Sequence, residues 1–183
     1  MQFFSTLHNM LVRQFARLEG LLPLLARFVF AATLLFYYWG SGVTKLGEGM
    51  FGLFSPTVGA YYQILPTITE AAGYDIAAIP VWYSLIVIAG TAAELILPLL
   101  IIMGLLTRLS ALGMIGFVTV QSLTDVWGHK VGAETIGAWF DQSSDATILD
   151  QRLFWVFLLT VLIVKGAGKL SLDHLLDIEK GAK

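Results

Sequence analysis

The chain has 183 residues, of which 57% are hydrophobic and only 13% charged, with a mean hydropathy of +0.77 and a formal net charge of -2. A water-exposed globular surface takes roughly 25% charged residues, so an ordinary soluble domain is excluded and the lipid bilayer becomes the first expected partner. Cysteine is absent, which removes structural disulfides, thiolate-held metals and dithiol redox chemistry, and the charge balance offers no basic surface for nucleic acid.

From Phe3 to Leu18, apolar residues recur at intervals of three and four (Phe3, Phe4, Leu7, Leu11, Phe15, Leu18), with Asn9, Arg13, Gln14 and Arg17 between them. This periodicity predicts an amphipathic helix over residues 1–20. It is expected to lie uncleaved in the membrane interface, its arginines among anionic headgroups; a soluble cap on the bundle is the other reading. A first span follows at about 21–45 and contains Arg27. The second, 81–106, holds Glu94 and Pro98. A five-residue turn, Gly104 to Arg108, leads to the third span, 107–124, and so short a connection makes these two antiparallel neighbours. The fourth, 148–168, places Asp150, Gln151 and Arg152 among headgroups, and 177–183 is a polar tail.

Two longer connections remain. Leu46 to Pro80 carries the start signal Ser55-Pro56 and the stop signal Ala72-Gly73, predicting a short surface helix. Asp125 to Thr147 reads as a compact polar loop. The fold class is all-α: an integral membrane four-helix bundle with an N-terminal amphipathic interfacial helix, in which 21–176 form one membrane domain. Arg13, Arg17, Arg27, Arg108, Lys165, Lys169, Lys180 and Lys183 share one side, against Lys45, Lys130 and Arg152 on the other. The excess places both termini in the cytoplasm, as in a multi-pass protein of the bacterial plasma (inner) membrane.

Glu94 lies about 12 residues from Trp82 and about 9 from Met103, which at 1.5 Å per residue puts it near the bilayer midplane. An ionisable residue there faces the bundle interior and needs a partner. Depth alone nominates Arg27, giving an intramembrane polar pair that either fixes helix register or serves as a proton relay or head-group contact. Pro98 removes the hydrogen bond to the Glu94 carbonyl, so a helix kink is expected beside the carboxylate. Nearer the outer side, Tyr37, Tyr38, Lys45, Gln121, Asp125 and His129 form a second polar cluster. They read either as interface anchors or as a head-group pocket whose donors would suit the carbonyls of a quinone. His8, His129 and His174 all fall outside the apolar core and form no haem site, and no metal-ligand spacing occurs.

Four segments carry a resemblance: Tyr38-Trp39-Gly40-Ser41-Gly42-Val43-Thr44-Lys45-Leu46, Ala93-Glu94, Gly104-Leu105-Leu106-Thr107-Arg108-Leu109 and Lys169-Leu170-Ser171-Leu172-Asp173. In this order, across roughly Ala26 to Leu176, the chain resembles the DoxX family of bacterial and archaeal membrane proteins. The resemblance implies a four-helix membrane bundle, with Lys45, Glu94 and Arg108 at the family's recurring polar positions and Thr107 and Arg108 on a cytoplasmic hairpin. The related DoxD proteins are membrane subunits of a thiosulfate:quinone oxidoreductase. By that analogy the chain is a subunit of a redox complex that contacts quinone and works with a redox partner protein, with a homo-oligomer as a further expected partner; the residues themselves point to no other cofactor, no metal and, without cysteine, no thiol chemistry. Small-solute or proton-linked transport, motivated by Glu94 and Pro98, and a purely structural or assembly role are the alternatives.

Overall fold

The computed structural model describes residues 2–176, and among them every regular element is helical. The amino-terminal periodicity yields α1 (Gln2–Leu18), followed by a single 3-10 turn, Glu19–Leu21. The first span is α2 (Leu22–Phe30), a π-helical turn at Ala31–Leu35, and α3 (Phe36–Lys45). The second is α6 (Val81–Met103) and the third α7 (Thr107–Leu123), prolonged by a π-helical turn, Thr124–Gly128. The fourth opens with the π-helical turn Thr147–Gln151 and continues as α9 (Arg152–Lys165). The expected tail at 177–183, with Lys180 and Lys183, lies outside the described residues.

At 23 residues, α6 is about 35 Å long, enough for a hydrocarbon core of about 30 Å. The four spans have mean hydropathies between 1.3 and 2.5, yet no more than 28% of the apolar window of any one is buried inside the molecule. Soluble monomers expose apolar patches of only roughly 300–600 Å², so lipid covers the remainder. The protein is an all-α, multi-pass membrane bundle.

The core follows a four-residue stripe: Ala26, Phe30, Leu34 and Tyr38 are all buried and meet Ile101 of α6, Ala111, Met114 and Val118 of α7, and Leu159 and Leu162 of α9. The π-turn inserts into this stripe without rotating it away from the bundle. Helices α2 and α3 pack between α9 and α6, and α7 closes the ring between α6 and α9. At Gly42 the approach of α3 to α6 is so close that a Cβ would lie 2.7 Å from the Leu95 side chain.

One end of the bundle is tied by two side chains. Helix α6 stops at Met103, earlier than the spacing predicts, because Gly104 turns left-handed with φ +67°. Leu106 also takes a positive φ, +48°, unfavourable for a branched side chain. Asp173, in α10 (Leu172–Leu175), holds it there: its carboxylate accepts the N–H groups of Leu106 at 2.7 Å and Thr107 at 2.9 Å, capping α7. The Asp173 N–H returns a bond to the Gly104 carbonyl at 2.8 Å. Arg27 supplies the complementary charge, donating to the carbonyls of Ile101, Ile102, Ala167 and Leu170. It satisfies the end of α6 and the loop after α9 together. An exposed ion pair between Lys165 and Glu19 adds a tie to the turn after α1; such pairs contribute little to stability.

The opposite end is capped by loops. The Leu46–Pro80 connection contains two helices, α4 (Val58–Ile64) and α5 (Pro66–Ala71). The start differs from the expected Ser55-Pro56 because the Thr57 hydroxyl caps the Ala60 N–H, and Pro66 then interrupts the helix. Nor is this a surface element alone: Ala60 and Tyr61 are buried against Val87 and Ile79, and the Tyr61 hydroxyl donates to Ser84 of α6 at 2.7 Å. The 125–147 loop carries a short α8 (Ala133–Ile136).

Candidate functional site

Residues of α3, α6 and α7, with Gln63 and Ile64 of α4, line a cavity of about 480 Å³. That is within the roughly 300–1,000 Å³ usual for small-molecule sites. The walls are small or apolar, including Gly90, Ala93, Gly113, Gly116 and Phe117, and the polar lining comes from Ser41, Lys45, Gln63, Glu94, Gln121, Thr124, Asp125 and His129.

The pair at its floor is Lys45 with Glu94. The Lys45 Nζ donates to Glu94 Oε2 at 2.6 Å and to Ser41 Oγ at 2.6 Å, and the charged side chains are only 5% and 3% exposed. This corrects the expected Arg27–Glu94 pair, and backbone direction supplies the reason. Cα–Cβ bonds tilt toward a helix's N-terminus. Helices α2 and α3 start at the tied end, so both Arg27 and Lys45 lean that way: Arg27 away from Glu94, Lys45 down into the bundle. Helix α6 runs in the opposite sense, so Glu94 leans up to meet Lys45. Depth alone, with a gap that two long side chains could close, nominated the wrong cation because it ignored these directions.

Helix α6 runs unbroken through the buried Pro98. Near the carbonyl of Glu94, which Pro98 cannot bond, the Trp39 indole N–H donates to the Leu95 carbonyl at 2.9 Å, so α3 grips α6 where its ladder is weakest.

Of the expected pocket residues, Lys45, Gln121, Asp125 and His129 line one cavity, and Glu94 joins them. Tyr37 and Tyr38 do not line it. Tyr37 is connected through its hydroxyl, which accepts from Gln121 Nε2 at 3.2 Å. Tyr38 lies in the bundle core, its ring edge-on to Tyr37 and Phe117 at centroid distances of 5.0 and 5.8 Å. Its hydroxyl is buried without a partner, a costly state for a polar atom. Tyr38→Phe is therefore expected to leave the thermal transition in detergent unchanged or to raise it; a fall would reveal a bonded hydroxyl. His129 Nε2 lies 3.1 Å from the Gln63 carbonyl, so that nitrogen carries the proton.

Arg152 was expected among headgroups but is only 4% exposed. Its guanidinium pairs with Asp125 Oδ2 at 2.6 Å and donates to Ser122 Oγ at 2.9 Å, beside the Trp155 ring. Because the fourth span begins at Thr147, Arg152 lies more than a turn inside it, against the end of α7. The sequence signal was Asp125 itself: an acid four residues after Gln121 on the inward face requires a nearby cation. Asp125→Ala strands that cation, and a loss of about 1–3 kcal/mol in unfolding free energy is expected, read from thermal or denaturant unfolding in micelles. Thr107 is buried at the tied end while Arg108 is exposed there, both remote from the cavity lining.

Among the described residues no group of three or more histidines, acids or cysteines is placed to hold a metal ion. The site contains donors, two acids each held by a cation, and apolar walls, an equipment for binding and orienting a polar group inside a membrane. No family model matches the chain, and no curated protein or solved structure matches it.

Proposed function

We propose that this chain is a DoxX-like membrane subunit of a redox assembly and that the cavity receives the head group of a quinone. The observation that carries this reading is the buried Lys45 ammonium in the cavity lining. An ammonium has three N–H donors, and Glu94 and Ser41 take two of them, leaving one for a ligand carbonyl. Gln121 adds a second amide N–H beyond the one given to Tyr37, together with a buried carbonyl oxygen that has no partner. Paired carbonyls on a flat ring suit donors separated by apolar walls. The motif order from Tyr38 to Asp173 supports the family, the absence of cysteine leaves thiolate-held clusters and dithiols out of this chain, and by the same analogy a partner protein supplies the electron-carrying cofactor. In this reading the protein sits in the bacterial plasma membrane with both termini cytoplasmic.

The test is ligand-induced stabilisation of the purified protein. A quinone analogue at about one hundred times its dissociation constant stabilises the folded state by about 2.7 kcal/mol, so the thermal transition of the wild type is expected to rise. The shift should be lost when Lys45 and Glu94 are replaced together. An unshifted wild type would remove the quinone. Purification in mild detergent should bring down a coloured partner, and a colourless, solitary protein would overturn the redox assignment. A second reading, proton-linked transport, is favoured by one observation, the Glu94 carboxylate at mid-span facing the cavity; it predicts proton flux in vesicles that Glu94→Gln abolishes.

A further inference from the structure

The cavity has a covered end and an uncovered side. Toward the loops it is roofed: Gln63 and Ile64 of α4 lie over it, the Gln63 carbonyl bonds His129, and the Tyr62 ring meets the His129 ring at 5.3 Å. The roof is tightly set, since a Cβ on Gly128 would lie 2.6 Å from Pro66 of α5. Between α6 and α7 the situation reverses. The lining residues Gly113, Gly116 and Val120 of α7 and Ile86 and Ala89 of α6 are themselves exposed on the outer face of the bundle. They lie within the membrane-spanning stretches, so the surface they share is a lipid surface. A Cβ on Gly116 would meet nothing within 4 Å. The polar floor is thus connected to the bilayer interior through a seam bordered by glycine.

We infer that the cavity is a side pocket entered from the bilayer through the α6–α7 seam. Its occupant is an amphiphile whose acceptor-bearing head meets Lys45 while its hydrocarbon chain leaves past Gly116. This rests on the head-group reading of the same site, and it specifies what that reading leaves open: the ligand arrives from lipid and carries a tail. Both halves of such a molecule find matching surroundings, the head a buried ammonium and amide, the chain a groove continuous with the acyl chains outside. A water-soluble solute meets the α4 roof instead.

The absence of cysteine allows a direct test. Ser41→Cys puts one thiol at the cavity floor of the full chain in nanodiscs, where both faces meet water. An N-alkyl maleimide, which its chain concentrates in the bilayer, is expected to label this thiol at least about tenfold faster than a sulfonated, water-soluble maleimide. Gly116→Phe should slow the alkyl reagent by a similar factor, because the ring occupies the mouth. Gly40→Phe should not slow it, since Gly40 is exposed on α3 with nothing within 4 Å of its Cβ and is outside the lining. Ala93→Cys, which adds only a sulfur to the wall, repeats the measurement should the serine substitution disturb folding. Faster labelling from water, an unchanged rate in Gly116→Phe, or thiols that react only after denaturation would each overturn the side entrance. A decyl-chain quinone is expected to protect the thiol and its tail-less ring to protect poorly; equal protection by both would overturn the place of the tail. If labelling keeps its order while neither quinone protects, the quinone reading falls and the entrance stands.

Discussion

Lys45→Met is expected to lower the unfolding free energy by about 3–5 kcal/mol, because it leaves the Glu94 carboxylate buried without its cation. Glu94→Gln should be nearly as damaging, stranding the ammonium instead. The double replacement Lys45→Met with Glu94→Leu is then expected to recover most of the lost stability, since an apolar pair of similar volume avoids burying two charges. Denaturant unfolding in micelles measures all three. The same double variant should fail to bind a quinone analogue. Recovery of both stability and binding would reduce the pair to a register device, whereas recovery of stability alone separates what the pair does for folding from what it does for a ligand.

The second large effect is expected at Arg27. Arg27→Ala leaves the carbonyls of Ile101, Ile102, Ala167 and Leu170 without their shared donor. Hydrogen bonds to charged groups contribute roughly 1.5–3 kcal/mol each and do not add fully, so a total loss of about 4 kcal/mol or more is expected, at the extreme of single substitutions. Arg27→Lys should recover less than half, because an ammonium cannot fork toward carbonyls on two different chain segments. Ligand affinity, measured well below the shifted transition, should be unchanged in both, since Arg27 is outside the cavity. A rescue by lysine to wild-type stability would show that charge, rather than the fork, holds this end.

The four spans were legible because a bilayer imposes length and apolarity on each segment independently of its neighbours. The α6–α7 turn was legible for a similarly local reason, the shortness of Gly104 to Arg108. Partnership was not local. Glu94 was recognisable as a buried acid from depth, but its cation was decided by the directions in which α3 and α6 run, which no spacing within one helix records. Arg152 was misplaced because its burial depends on the end of α7 lying against it, where Asp125 and Ser122 take its guanidinium. The roof was missed for a third reason. The α4 segment looks like a surface helix until Tyr61 finds Ser84 on α6, a contact between stretches that share no pattern.

The cap on α7 has a consequence for the order in which the chain acquires its structure. The carboxylate that accepts the Leu106 and Thr107 N–H groups comes from Asp173, 66 residues beyond Thr107. A ribosome delivers α6 and α7 to the membrane well before it delivers Asp173. Until that residue emerges, the left-handed Leu106 has nothing to hold it, and the first turn of α7 is free to fray. The Arg27 fork waits in the same way for the carbonyls of Ala167 and Leu170. The hairpin is inserted early and locked late, and a pause or cleavage before residue 173 would catch the bundle with its spans in place and its clasp undone.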